Sequence, residues 1–265
     1  FNDYVKSIAI DSTGNIYVTG DTQSTDYPIT TGAYDTSYND SGYYDVFISK
    51  INSDLTSLLA STYLGGSSYD RSYSIVINSG NIYVTGQTTS SNFPTTTGAY
   101  DTSYNDYDIF VSKLNSDLTS LIASTFLGKT AGDTAKSIGI DSNGNVYVTG
   151  YTYSSRTDFP TTTGSYDTSY NGGYDDAFVS KFDSNLSASS PTVTTGSVTN
   201  ITYNYATLNG TVNANELSTT AWFEYGTTSG SYNNTSSTQS VSGTTDTTVS
   251  INISGLSSGT TYYYR

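Results

Sequence analysis

One seven-residue segment recurs three times along the chain. Gly14–Gly20 reads GNIYVTG, Gly80–Gly86 repeats it, and Gly144–Gly150 differs only in having Val146 for Ile. The copies lie about 65 residues apart, a period that is too long for a coiled-coil heptad and suits one small sheet per repeat. The sequence therefore predicts a repeat protein in which each unit is a sheet of its own.

The composition favours strands and turns over helices. The chain has 27 Tyr, and only 12% of its residues are charged. Thr, Ser, Asn and Gly are abundant, whereas long helices are built mainly from Ala, Leu, Glu and Lys. The predicted fold class is all-β.

Each repeat predicts a four-stranded antiparallel meander. First strands of period two follow an Asp in every copy and contain Ser7–Ile10, Ser74–Ile77 and Ser137–Ile140. A Gly-Asn turn joins each of them to the recurrent segment, which forms the second strand of a hairpin. Third strands are predicted at Asp45–Lys50, Asp108–Lys113 and Asp176–Lys181, and fourth strands at Leu58–Leu64 and Leu121–Leu127.

An aromatic residue followed by proline precedes the third strand in every repeat. The three pairs are Tyr27-Pro28, Phe93-Pro94 and Phe159-Pro160. Because proline favours an extended backbone at the residue before it, each pair predicts an extended segment that is held by a packed ring.

The motifs of residues 3–185 resemble the bacterial and archaeal SBBP beta-propeller repeat. They read Asp-x-x-Gly-Asn-Ile-Tyr-Val-Thr-Gly, then Phe-Pro-Thr-Thr, then Asp-Ala-Phe-Val-Ser-Lys. The resemblance implies propeller blades outside the cytoplasm and no catalytic motif. In the third repeat the expected fourth strand gives way to Ser187–Pro191. We therefore expect a domain over residues 1–188 with three blades, the last without its own fourth strand, too few to close a ring.

Residues 189–265 predict a second domain of a different kind. Strands are predicted near Tyr205–Val212, Thr220–Tyr225, Thr247–Ile253 and Thr260–Arg265. Leu256–Tyr262 resembles the tyrosine-corner region of fibronectin type III domains, and Trp222–Thr228 resembles a strand of bacterial members. That resemblance implies a sandwich of about 100 residues. The sequence stops at Arg265 where a last strand should follow, so one edge is expected to be open or filled from outside.

Charge and missing residue types exclude several function classes. With 23 acidic and 9 basic residues the net charge is -14, which would repel nucleic acid or an anionic membrane surface. The chain has no Cys, His or Met, so disulfides, thiolate or imidazole metal ligands and a His-activated nucleophile are excluded. No apolar run is long enough to span a bilayer as a helix. Because Phe1 opens directly into repeat sequence, a signal peptide is expected only outside this sequence.

Recurring carboxylates are weak candidates for Ca²⁺ ligands. The candidates are Asp35, Asp45, Asp101, Asp108, Asp167 and Asp176. They lack the ligand ladder and closing Glu of an EF-hand, so hydrogen bonding within loops is the alternative interpretation. Paired carboxylates could also hydrolyse glycosides. However, each of these Asp residues recurs between repeats as structural residues do, and Glu occurs only at Glu216 and Glu224. We expect neither a catalytic site nor a cofactor.

Two further residue sets are candidates for contact and modification. Loop tyrosines offer a broad apolar face with a polar tip, suited either to protein or sugar contacts or to packing of the loops themselves; they are Tyr34, Tyr38, Tyr100, Tyr104, Tyr166 and Tyr170. Acceptor sequences for N-glycosylation occur at Asn39, Asn185, Asn200, Asn209, Asn233, Asn234 and Asn252.

Two functional hypotheses of different classes remain. The first is a noncatalytic extracellular module for structure or adhesion in a cell-surface or filamentous assembly. Its partners would be other copies of itself or other surface proteins, joined through open β-edges. The second is a carbohydrate-binding or spacer region of a larger secreted hydrolase, an argument by analogy with the companions of fibronectin-like modules.

Overall fold

The computed structural model describes residues 2–38, 42–129, 132–153, 159–162, 165–187, 191–214, 219–243 and 245–265. These residues form strands and turns with no helix, which confirms the all-β prediction. None of them forms a helix that could cross a membrane. The chain divides into two compact units, the first made of Phe1–Thr161 and Asp167–Ala188, the second of Thr162–Tyr166 and Ser189–Arg265.

The first unit consists of three antiparallel sheets. Sheet 1 has the strand order β1-β2-β3-β4, sheet 2 has β5-β6-β7-β8, and sheet 3 has β11-β10-β9. The strands of sheets 1 and 2 are β1 (Asp3–Ile10), β2 (Ile16–Thr22), β3 (Asp45–Ile51), β4 (Leu58–Leu64), β5 (Asp70–Asn78), β6 (Asn81–Thr88), β7 (Asp108–Asn115) and β8 (Leu121–Leu127). Those of sheet 3 are β9 (Asp133–Ile140), β10 (Val146–Tyr153) and β11 (Asp175–Phe182). No described strand pairs with the outer edge of β11.

The second unit contains eight strands in the described residues. They are β12 (Thr192–Thr195), β13 (Tyr205–Asn213), β14 (Thr219–Ala221), β15 (Glu224–Gly226), β16 (Asn234–Thr235), β17 (Gln239–Val241), β18 (Thr247–Ser254) and β19 (Tyr263–Tyr264). They form sheets in the orders β12-β13-β18, β14-β17 and β16-β15-β19. Alternate residues of β13 and β18, such as Leu208 and Ile251, enter one core together with Phe223.

One strand of the second unit differs from the prediction. The sequence predicts a single strand over Thr220–Tyr225, whereas the structure has β14 and β15 with a break at Trp222 and Phe223. The break occurs because Phe223 exchanges backbone and side-chain hydrogen bonds with Ser236, so the two halves pair with different partners. Residues 260–262 are likewise not part of β19, since Thr260 closes a turn on the Ser257 carbonyl.

The core of the first unit lies between successive sheets. Between sheets 1 and 2, Tyr17 and Ile48 of sheet 1 share a cluster with Ile75 and Leu118 of sheet 2. Between sheets 2 and 3, the corresponding cluster contains Tyr83, Val111, Ile138 and Leu186. We call these two contacts junction 1 and junction 2. Each is built from the same repeat positions, so one packing solution is used twice.

The aromatic-proline pairs cover the sheets as expected. The Tyr27 ring stacks on Phe47 with centroids 4.3 Å apart, and Phe93 stacks on Phe110 at 4.6 Å. Phe159 lies 4.6 Å from Phe178 in the third repeat. The prediction that a packed ring holds each connection is confirmed.

The glycine that closes each recurrent segment lies at a bulge where no side chain fits. A Cβ on Gly86 would overlap the Arg71 carbonyl oxygen and lie 2.7 Å from the Phe110 ring. The register of β5 against β6 shifts between Ser72 and Ser74, directly opposite this glycine. Gly20 and Gly150 are in the same position in their sheets. The repeated glycine thus permits a bulge that brings the first strand close to the second.

We expect Gly86→Ala to destabilise the protein by about 1 to 3 kcal/mol, because the new methyl group must displace backbone in a packed sheet. Urea unfolding followed by fluorescence measures this. Gly139→Ala is the matched control: that strand glycine has open space around its Cβ position, so its effect should stay within about 0.5 kcal/mol. Equal effects of the two substitutions would contradict the close approach.

Candidate functional site

The outer edge of β11 is the main candidate site. β11 pairs with β10 through eight residue pairs, from Asp175 opposite Tyr153 to Phe182 opposite Val146. In sheets 1 and 2 the equivalent strands, β3 and β7, also pair on their other side with β4 and β8. Among the strands that the structure describes, β11 has no such neighbour. A row of backbone donors and acceptors is therefore available for another strand.

A second, shorter edge belongs to the second unit. Within the described ranges, β19 pairs with β15 alone, through Tyr264 and Tyr263. The Arg265 and Glu224 backbones exchange two hydrogen bonds of 3.0 Å, and their side chains form an ion pair of 2.7 Å. The Arg265 guanidinium also lies 4.9 Å from the centre of the Tyr232 ring. These contacts fix β19 against its one partner.

The candidate Ca²⁺ ligands lie at two kinds of place. Asp35, Asp101 and Asp167 each accept a hydrogen bond of 2.8 Å from the backbone N–H two residues on, as loop carboxylates do. Asp45 and Asp108 begin third strands, while Asp176 lies at the second residue of β11. In the described part of the chain, no group of three or more His, Cys, Asp or Glu side chains is placed to hold a metal ion.

The structure brings buried carboxylates together in pairs. Asp45 and Asp70 both approach the Cβ position of Gly65 in junction 1, and Asp108 and Asp133 approach that of Gly128 in junction 2. Asp70 and Asp133 are absent from the candidate set. The sequence does show that an Asp opens each first strand. Only the packing of one sheet on the next shows that this Asp lies close to the Asp of a third strand.

The pKa of the Asp108 carboxyl is strongly shifted. This residue is fully buried, and burial raises the pKa of its carboxyl to about 7. The charge of Asp133 raises this pKa further, while the 2.7 Å hydrogen bond from the Asn105 backbone N–H lowers it. Asp108 Oδ1 accepts no hydrogen bond from any residue that the structure describes. The environment therefore favours the neutral acid at junction 2.

We expect Asp108 to weaken the fold as the pH rises. The unfolded carboxyl has its ordinary pKa of 3.8, so between about pH 4 and pH 7 the folded state holds a proton that the unfolded state has lost. Stability must fall with rising pH across this window. Asp108→Asn stays neutral, so its stability relative to wild type should rise through the window, by at most about 4 kcal/mol.

Denaturant unfolding at a series of pH values measures this difference. Asp54→Asn removes the same charge from an exposed turn. The difference between its free energy of unfolding and that of the wild type should be the same at every pH. If the difference in unfolding free energy between Asp108→Asn and wild type were also independent of pH, the proposed protonation would be contradicted.

The loop tyrosines are distributed between packing and exposure. Tyr34 and Tyr100 pack against the clusters of junctions 1 and 2. Tyr38 donates to the Tyr43 carbonyl, Tyr104 to that of Thr89, and Tyr170 to that of Gly173. Tyr166 is fully exposed. The structure therefore gives five of the six a packing or hydrogen-bonding role.

The glycosylation candidates differ in accessibility. Asn185, Asn200, Asn233, Asn234 and Asn252 are exposed. Asn209 is half-buried, and its Nδ2 donates to the Ser197 carbonyl at 2.8 Å and to Thr199 Oγ1 at 3.0 Å. Asn39 lies outside the described residues.

The family comparison matches the first unit in three segments. The SBBP beta-propeller repeat matches residues 2–28, 61–94 and 124–160. The second match starts in β4 and runs through β5 and β6, and the third starts in β8 and runs through β9 and β10. The second and third matches therefore span a junction, from the fourth strand of one sheet to the first two strands of the next. A search of curated proteins found no match to the chain.

Proposed function

We propose that this chain is a noncatalytic extracellular module that contributes structure or adhesion to a cell-surface or filamentous assembly. Its partners are other copies of itself or other surface proteins. The observation that carries the proposal is the outer edge of β11, an eight-residue strand of a repeat whose siblings have a fourth strand at that position.

A strand from a neighbouring molecule satisfies such an edge directly. Each new backbone hydrogen bond contributes roughly 0.5 to 1.5 kcal/mol net, and an added strand forms several at once. The edge is already rigid, because the paired side of β11 is bonded along its whole length and Phe178 and Phe182 are buried. Little ordering of the acceptor is then required on binding, which favours affinity.

In finer detail, we propose that sheets 1 to 3 are propeller blades and that the second unit is a fibronectin type III-like sandwich without its last strand. The blade assignment is supported by the meander order of the sheets and by the three SBBP matches. The sandwich is supported by a tyrosine-corner contact, in which Tyr262 Oη lies 3.1 Å from the Ser257 backbone N–H that donates to it.

The noncatalytic assignment is supported by where the acids lie. The paired carboxylates of junctions 1 and 2 are buried, which closes them to substrate. Glu224 is held by Arg265 in an ion pair.

We expect a peptide with the sequence of β8 to bind the β11 edge. A peptide of residues 120–128 with flanking lysines for solubility should raise the melting temperature of the full chain with increasing concentration, since a ligand of the folded state alone stabilises it. The control is the same peptide with Ser124→Pro and Thr125→Pro. The backbone N–H groups of adjacent residues point to opposite edges of a strand. One of the two prolines therefore removes an N–H that would donate to β11. Equal binding of both peptides would argue against strand addition.

A second function is carbohydrate binding or a spacer role within a larger secreted hydrolase. The observation in its favour is a set of exposed rings in the second unit, namely Tyr203, Trp222 and Tyr263. Exposed aromatic faces are suited to stacking on sugars. A glycan array separates the two functions: selective sugar binding that Trp222→Ala abolishes supports this second one, and self-assembly without sugar binding supports the first.

A further inference from the structure

The two junctions share a polar contact as well as an apolar cluster. In junction 1, Lys50 Nζ and Tyr17 Oη both donate to the Ser116 carbonyl of sheet 2, at 3.3 and 3.2 Å. The ammonium also lies 5.2 Å from the centre of the tyrosine ring. Junction 2 repeats the contact with Tyr83, Lys113 and Ser184, at 3.4 and 2.9 Å. The back of one sheet therefore recognises the front of the next through a defined set of positions.

The first strands add a second polar contact to each junction. The Ile75 backbone N–H donates to Ser7 Oγ at 3.3 Å, and the Ile138 N–H donates to Ser74 Oγ at the same distance. We define the front face of a sheet by the positions equivalent to Ile75 and Leu118. We define its back face by the positions equivalent to Tyr17, Ile48 and Lys50.

The front face of sheet 1 is bare. Ile8 is 61% exposed, whereas the equivalent Ile75 is 6% exposed. Leu55 is 67% exposed, whereas the equivalent Leu118 is fully buried. Both leucines have the same left-handed backbone, with φ of 58° and 54°. Sheet 1 thus presents a preformed front face on which no described sheet is packed.

Within the described ranges, the back face of sheet 3 is exposed in the complementary way. Val179 is 75% exposed, whereas the equivalent Ile48 is fully buried. Lys181 is exposed, yet its ammonium already lies 5.6 Å from the centre of the Tyr147 ring. The same pairing of Lys and Tyr is present in junctions 1 and 2, so the lysine is already in place. The Tyr147 hydroxyl donates to Asp141 Oδ2 at 3.2 Å.

We propose that a second copy of this chain docks head to tail, with the back face of its sheet 3 on the front face of sheet 1. The two bare faces are the two halves of a contact that the chain forms twice within itself, so each is complementary to the other in shape and in polar groups. Lys181 of one copy then donates to the Ser53 carbonyl of the other, as Lys50 and Lys113 do to Ser116 and Ser184. The Tyr147 hydroxyl exchanges its bond to Asp141 for the same carbonyl.

Closure limits the number of copies. A head-to-tail contact forms a ring when its rotation closes and a filament when it does not. For a chain of residues 1–265, two copies bring six sheets, which is within the range of about four to eight blades in closed propellers, and three copies exceed it. We therefore infer a ring of two copies that uses the contact twice. This deepens the proposed role in assembly by naming the partner, and it uses sheet faces rather than the β11 edge.

The test is the mass of the full chain in solution, measured by sedimentation at tens of micromolar. The wild type should sediment at twice its mass of 28.3 kDa. Leu55→Asp disrupts the front face and Val179→Asp the back face, so each should sediment as a single chain. Both side chains are exposed in the isolated chain, so a thermal unfolding curve unchanged at low concentration confirms that each variant folds.

The decisive experiment is to mix the two variants and measure the mass of the mixture. The intact back face of Leu55→Asp and the intact front face of Val179→Asp should form one junction, so the mixture should recover pairs that neither variant forms alone. Leu59→Asp is the control: Leu59 and its equivalent Ile122 are 47% and 46% exposed, so this position is outside the contact and the variant should pair like wild type.

Two results overturn the proposal. A wild type that remains a single chain means that the bare faces meet something other than a second copy. A wild type that pairs, with Leu55→Asp pairing equally well, means that association uses another surface. Binding of the β8 peptide to the β11 edge is independent of both results, so the edge proposal can succeed or fail separately.

Discussion

The packing of one sheet face on the next is the contact on which the rest of the first unit depends. Sheet 2 shows why, because it buries apolar side chains on both faces: Val84 and Phe110 enter junction 1, while Tyr83 and Val111 enter junction 2. A sheet that is apolar on both sides is not stable alone, since each face must leave water to gain the hydrophobic free energy. The repeated segment is therefore suited to a stack of sheets.

Polar groups make this packing directional. A purely apolar contact would tolerate sliding or rotation of one sheet on the other. In each junction, the Lys and Tyr side chains must instead donate to one backbone carbonyl in a turn of the next sheet. In the same way, Ser7 or Ser74 must accept a hydrogen bond from one backbone N–H. Unmet buried donors cost more than formed ones contribute, so these contacts select a single register. They also explain why the two junctions are alike in detail.

The same selectivity has consequences for assembly. In the proposed head-to-tail contact, the same polar groups favour another copy of the chain over an unrelated protein. The buried acid pairs lie inside the junctions. Burial raises the pKa of Asp108 at junction 2, so we expect the stability of that junction to depend on pH.

The sequence by itself determined the all-β class, the repeat, its turns and nearly every strand of the first unit. This is possible because the signals are local and recur in every copy of the repeat. They are the period-two alternation, the Gly-Asn turns and the aromatic-proline pairs. Long-range pairing is not local. Only the tertiary structure showed that Asp70 meets Asp45 and Asp133 meets Asp108, that the strand predicted over Thr220–Tyr225 divides between two sheets, and that Ile8 and Ile75, identical in sequence pattern, differ in exposure. The burial of a residue depends on its neighbours in space. A repeated sequence does not reveal which of its copies has another sheet packed against it.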